Sequence, residues 1–207
     1  MRTTIILVAG LLVSTAAIAG GGDKTKTGTM DKTGTGMGTA TKGTLTEAQA
    51  LGVMLAANSG EVSIGQAVAA RTTNPEVRRY AMQLVDHHMA ANKDLLGITE
   101  KAGAMVPMDS PLRDQLSNDV HKELTNLWSR EAGADFDKMF LTAAIEDHAA
   151  HLKLIDQQLM PAVTTANLKD ELTAMRATIA DHLKDACGLA TPMGVQSTDC
   201  AQQRGTE

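Results

Sequence analysis

The sequence predicts an all-α bundle, and three observations carry that prediction. From Leu45 onward apolar residues recur at alternating steps of three and four, the period of a helix that buries one stripe. Turn-forming residues are few, and Asn74-Pro75, Gly103, Ser110-Pro111, Gly133 and Pro161 mark breaks in that period. Strand signals are missing, with no alternating runs of Val, Thr and aromatics and no Asn-Gly hairpin. Aromatics are 2% of the 207 residues, so the core has to be Leu, Ile, Val, Ala and Met, and Ala-rich faces let helices approach closely.

Residues 1–19, MRTTIILVAGLLVSTAAIA, read as a secretory signal. Arg2 precedes an apolar run, and Ala17-Ile18-Ala19 forms a small-x-small cleavage site before Gly20. The run is short and interrupted by Ser14 and Thr15, which favours cleavage over a retained anchor, and no later stretch is long enough to span a bilayer. Residues 20–44 are dominated by Gly, Thr and Lys. They bury too little to offset the entropy of ordering, so a flexible tether is expected there.

The helical domain is expected over residues 45–190. The first helix runs from Thr46 to about Thr72 with Ala50, Met54, Ala57, Glu61, Ile64 and Val68 on its stripe. Asn74-Pro75 supplies an N-cap and a first-turn proline for the second, which reaches about Ala102 with Val77, Tyr80, Leu84, His87, Ala91 and Ile98 inward. Ser110-Pro111 opens a third helix bearing Leu116, Val120, Leu124 and Leu127, broken by Gly133. The fourth carries Leu141, Ile145, His148, Leu152, Ile155 and Leu159 until Pro161. The fifth carries Leu168, Leu172, Met175, Ile179, His182, Ala186 and Leu189, ending between Gly188 and Pro192. An irregular tail is expected over 191–207.

The third helix sets the topology. About twenty residues at 1.5 Å each span about 30 Å, enough to carry the chain from one end of the bundle back to the other. Helices two and four then run parallel, which gives a ferritin-like up-down four-helix bundle with an additional crossover helix.

Residues 20–44 hold four Lys and two Asp, and Arg2 precedes them, so of the formal net charge of −5 the remainder of the chain carries −8. An acidic body argues against a nucleic-acid partner, because phosphate contacts need clustered Lys and Arg. The two cysteines, Cys187 and Cys200, either form one disulfide that pins the tail to the last helix, as an oxidising compartment permits, or remain free thiols.

Each long helix interrupts its apolar stripe with one ionisable residue: Glu61, His87, His148 and His182. Buried charge is costly unless paired or coordinated, so a shared mid-bundle site is expected. Three of the six histidines follow an aspartate directly, as Asp86-His87, Asp147-His148 and Asp181-His182. Consecutive helix residues differ by 100°, so Asp86, Asp147 and Asp181 are expected to accept the Nδ1–H of a histidine on a neighbouring helix. His88 and His151 flank the stripes.

Three readings stay open for this set: a transition-metal site, a purely structural polar network, and catalysis without metal. Mixed His and carboxylate ligands suit Fe, Zn, Mn or Cu, with no choice among them from residue type. His87, His88 and Met89, with Met82 a turn and a half away, form a set that copper(I) favours, although methionines also fill gaps in Ala-rich cores. Motifs for other chemistry are absent: there is no GxSxG elbow, phosphate-cradling glycine loop, CxxC or HExxH.

Several stretches resemble a bacterial exported family: Glu61-Val-Ser-Ile-Gly-Gln-Ala, Asn74-Pro-Glu-Val-Arg-Arg-Tyr-Ala, Val85-Asp-His-His-Met-Ala-Ala-Asn, Gly133-Ala-Asp-Phe-Asp-Lys-Met-Phe, Glu146-Asp-His and Asp181-His-Leu. Over residues 50–190 the chain is similar to the domain of unknown function 4142 family, whose members are often labelled outer membrane proteins. The resemblance implies a ferritin-like helical fold and an exported location, periplasmic with a possible link to the outer membrane or an envelope partner, and it implies no reaction. The Glu-x-x-His pair that di-iron bundles use does not occur, so ferroxidase chemistry is not carried over. A helical domain without an apolar exterior cannot itself span that membrane. A non-catalytic envelope or stress-associated module, its Asp-His pairs serving only to order the core, is the alternative.

Overall fold

The computed structural model describes residues 44–101 and 106–204, and the expected signal and nearly all of the tether lie outside them. Among the described residues every regular element is helical and none is a strand. The elements are α1 (Glu47–Arg71), α2 (Pro75–Lys101), α3 (Pro111–Trp128), α4 (Ala134–Leu154), α5 (Ala166–Ala190) and α6 (Thr198–Arg204). A π-helical segment, Ile155–Leu159, and a short turn, Met160–Ala162, extend α4.

Local chemistry sets the boundaries. Thr46 and Gln49 form a reciprocal capping box that starts α1, and the Asn74 side chain accepts the backbone N–H of Glu76 at 2.9 Å at the start of α2. Ser110 caps α3, with Pro111 in the first turn. Gly133 precedes α4 at φ +149°, a conformation that other residues rarely adopt.

Contacts at both ends of the bundle establish the helix directions. At one end, Glu47 accepts the N–H of Thr165 at 2.8 Å, and Met108 N–H reaches Ala48 O at 3.0 Å. At the other, Thr72 Oγ1 donates to Asp137 Oδ1 at 2.5 Å, and Arg71 donates to the carbonyls of Leu127 and Arg130 while lying 5.0 Å from the Trp128 and Phe136 ring centres. Helices α1, α3 and α5 therefore run one way and α2 and α4 the other, with α3 returning the chain alongside α1.

The core forms two apolar clusters. One gathers Ile64, Val68, Tyr80, Leu84, Phe136, Phe140, Ile145 and Leu183. The other gathers Leu51, Met54, Leu95, Ile155, Leu159, Leu172 and Ile179. Where one cluster gives way to the other along the helices lie the buried polar residues Asn58, Glu61, His88, His148 and His182, so a polar layer crosses the middle of the bundle.

Two expectations are corrected. On α2 the buried face passes through His88, Leu95 and Thr99, while His87 is exposed. The segment after α5 is not irregular: it makes a 3-10 turn, Thr191–Met193, and then α6. A disulfide between Cys187 and Cys200, with Cα atoms 5.5 Å apart, ties α6 to α5. Seven residues make a helix too short to be stable alone, and the covalent tie with burial of Cys200 supplies what propensity lacks.

A candidate metal centre in the polar layer

Three helices each deliver one buried imidazole to the layer: α2 gives His88, α4 gives His148 and α5 gives His182. One ring nitrogen from each lies within 4.8 Å of the other two. The ring centres of His88 and His182 are 5.2 Å apart, and those of His148 and His182 are 5.3 Å apart, nearly perpendicular.

Each ring is held through one nitrogen only. His88 Nδ1 is 2.9 Å from Asn58 Oδ1, and Asn58 in turn donates to Asn92 Oδ1 at 3.1 Å. His148 Nδ1 is 2.6 Å from the carbonyl of Ala144, one turn earlier on its own helix. An oxygen of either kind can only accept, so both rings carry their proton on Nδ1 and a lone pair on Nε2. His182 Nε2 lies 2.9 Å from His87 Nδ1, and the two rings stack at 5.1 Å. The other three nitrogens, His88 Nε2, His148 Nε2 and His182 Nδ1, are buried without a hydrogen-bond partner. Burial also suppresses protonation. Desolvation, reinforced by the neighbouring imidazoles, holds His88 down to about 2 and His182 to about 3, and desolvation lowers His148 too. At neutral pH the three are uncharged, with lone pairs available.

The carboxylates gather on another side of the layer. Glu61 is buried, and its carboxyl lies 3.6 Å from His151 Nδ1, too long for a hydrogen bond. Desolvation pushes the Glu61 carboxyl up to about 7 and His151 down to about 4, so His151 meets it as a neutral ring. Asp147 faces Glu123 of α3, and the two carboxyls share a hydrogen bond. Burial raises both, with repulsion from Asp147 adding at Glu123 and repulsion from Glu61 adding at Asp147, so the pair retains a proton well above the usual carboxylate range. Glu61, Glu123, Asp147 and His151 line one cavity of about 280 Å³ between α1, α3 and α4. A separate cleft of about 210 Å³ between α2 and α5 is lined by Asn58, His87, His88 and Met175, among others, and reaches the imidazole cluster.

The nine residues expected at one site are thus divided. His148 and His182 sit at the cluster as expected, with His88 in the place expected of His87. His87 touches the cluster only through His182. Glu61 is buried beside it with His151 half-buried, and Asp147 turns to Glu123. Asp86 and Asp181 are exposed and orient no histidine: Asp181 points 100° away from the inward His182, and Asp86, two positions before the inward His88, points 200° away from it. The acceptors that do fix the rings, Asn58 and the Ala144 carbonyl, left no trace in the pattern of stripes. Nor did Glu123, whose helix was expected to act only as a crossover.

Fold and site together define an all-α bundle with a buried tri-imidazole cluster at mid-height. The chain belongs to the DUF4142 family, a domain of unknown function, whose family model matches residues 32–189. Searches of curated proteins and of solved structures return no match.

Proposed function

We propose that this protein binds one transition-metal ion through His88 Nε2, His148 Nε2 and His182 Nδ1. The observation that carries the reading is the set of three buried, partnerless ring nitrogens, one on each of three rings that bring a nitrogen within 4.8 Å of one another. A purely structural network would be expected to satisfy such atoms, since a buried polar group without a partner costs about 1–3 kcal/mol. The hydrogen bonds on the opposite nitrogens of His88 and His148 are the kind that fix tautomer and strengthen a ligand, and His182 joins them when its Nε2–H donates to His87.

An all-imidazole set suits zinc or copper better than hard cations. Bonds of about 2.0–2.1 Å place tetrahedral ligands about 3.4 Å apart, so binding draws the rings inward. The cleft beside His88 leaves a side open for a fourth ligand. Buffering or carriage of the ion is the role this reading assigns to the site. The reading is completed by a ferritin-like arrangement, favoured by parallel α2 and α4 with α3 between them, and by an exported, periplasmic location. That location rests on the leader-like residues 1–19 and agrees with the disulfide. Among the described residues no helix is long and apolar enough to cross a membrane.

Metal analysis after loading with Zn²⁺ or Cu⁺ and desalting provides the test. The wild-type chain is expected to retain about one equivalent. His148→Ala and His182→Ala should lose it, and Asn58→Leu should bind about 10–100-fold more weakly. Retention of no metal by the wild type, with His182→Leu more stable than it, would return the cluster to the structural reading.

A further inference from the structure

The outer face of α2 carries the largest run of exposed apolar side chains within any described helix. Met82, Met89 and Leu96 are 45%, 55% and 48% exposed and follow one another at intervals of seven. At 100° per residue they stay within roughly 40° of one another, a straight seam of about three turns or more. No described helix covers it. On one flank of this seam lie four exposed charged residues, Arg79, Asp86, Lys93 and Glu100, again seven apart and alternating in sign.

We propose that this face is where a second copy of the chain docks, with the two α2 helices antiparallel about a two-fold axis at Met89. A two-fold axis perpendicular to the helices and to the direction in which they stack reverses chain direction but keeps each residue on its own flank. Under that operation Met82 meets Leu96 of the second copy and Met89 meets its own equivalent. Asp86 comes level with Lys93 of the second copy, and Arg79 with its Glu100. Every charge then faces its opposite. A parallel pair would instead put the two charged flanks on opposite sides of the seam and leave all of them unmatched. The complementarity singles out a second copy, because one sequence pattern satisfies both sides at once. Arg79 already pairs with Glu76 on its own helix at 2.7 Å, so Asp86 and Lys93 are the residues that discriminate. Asp86, which orients no histidine, acquires a role on this surface.

Sedimentation of the full chain over about 1 µM to 1 mM reads the association directly. The wild type is expected to dimerise with rising concentration, and Met89→Lys to remain monomeric. Asp86→Lys alone inverts two symmetry-related pairs and should weaken association roughly ten- to thirty-fold. Combining Asp86→Lys with Lys93→Asp restores the match and should restore the dimer. All three positions are exposed, and a helical circular-dichroism signal with unchanged melting checks the fold. A wild type that stays monomeric throughout overturns the proposal. So does a dimer that tolerates Met89→Lys, or one that the double exchange fails to rescue.

Discussion

At the scale of single residues, the polar layer is a place where solvation is traded for shape. Glu123 and Asp147 share a proton, and Glu61 beside them is held up to about 7 by desolvation alone. A carboxyl whose folded pKa is raised loses stability as pH rises from its unfolded value, about 4.5, toward the folded one, because the unfolded chain releases the proton first. Glu123→Gln keeps a donor toward Asp147 and removes that titration. The variant should gain stability at pH 8, on the order of a kcal/mol or more, and show a flatter pH profile above pH 4.5. Urea unfolding at pH 5 and pH 8 in the presence of chelator measures it, and an identical pH slope in both proteins would show that the pair is solvated. Histidine behaves oppositely: depressed values leave stability intact above about 6.5 and remove it as pH falls toward 3. His148 and His182 were legible as inward residues because Leu, Ile and Met continue their stripes on both sides. His87 and His88 were not separable in that way. From Leu84 a step of three reaches one and a step of four the other, and Ala91 and Ile98 extend the wrong frame as smoothly as Leu95 and Thr99 extend the right one.

At the scale of elements, caps made the boundaries readable. Thr46, Asn74 and Ser110 each accept a backbone N–H in the first turn, and Pro75 and Pro111 sit where a missing donor costs nothing. Close approach between helices is written less plainly. A Cβ on Gly65 would lie 2.7 Å from the Ala81 carbonyl oxygen and 2.9 Å from Val85 Cγ2, so α1 and α2 touch through backbone there, whereas one on Gly97 would meet open space. Gly65→Ala should destabilise by about 1–3 kcal/mol through forced separation of the two helices. Gly97→Ala should stabilise by about 0.5–1 kcal/mol, since only helix propensity changes. Paired denaturant melts give both signs in one experiment, and equal effects at the two positions would refute the close contact. Nothing in the sequence distinguishes these glycines, because the difference resides in what the neighbouring helix brings. The π-helical segment at Ile155–Leu159 was equally hidden: strict four-three spacing runs through it, and Arg176 of α5 holds Asp156 within it at 2.7 Å.

At the scale of the whole molecule, the all-α class and the direction of α3 followed from helix lengths and the scarcity of turn residues. The division of one expected site into an imidazole cluster and a carboxyl cavity did not, because it depends on contacts such as Asn58 with His88, thirty positions apart. The layer that hosts both has a mechanical meaning. It interrupts the apolar core, so the segments on either side are joined by helix backbone, by a few polar contacts and by Leu152, which packs against both clusters. Native-state amide exchange should therefore resolve two cooperative units in the ion-free chain, one around Phe136 and Phe140 and one around Leu51 and Leu172, opening at different free energies. An ion gripped by α2, α4 and α5 at once would act as a rivet through that seam, and the two units should then open together. Uniform protection in the ion-free chain would mean that the layer is no weak plane, and the protein would have nothing for a rivet to close.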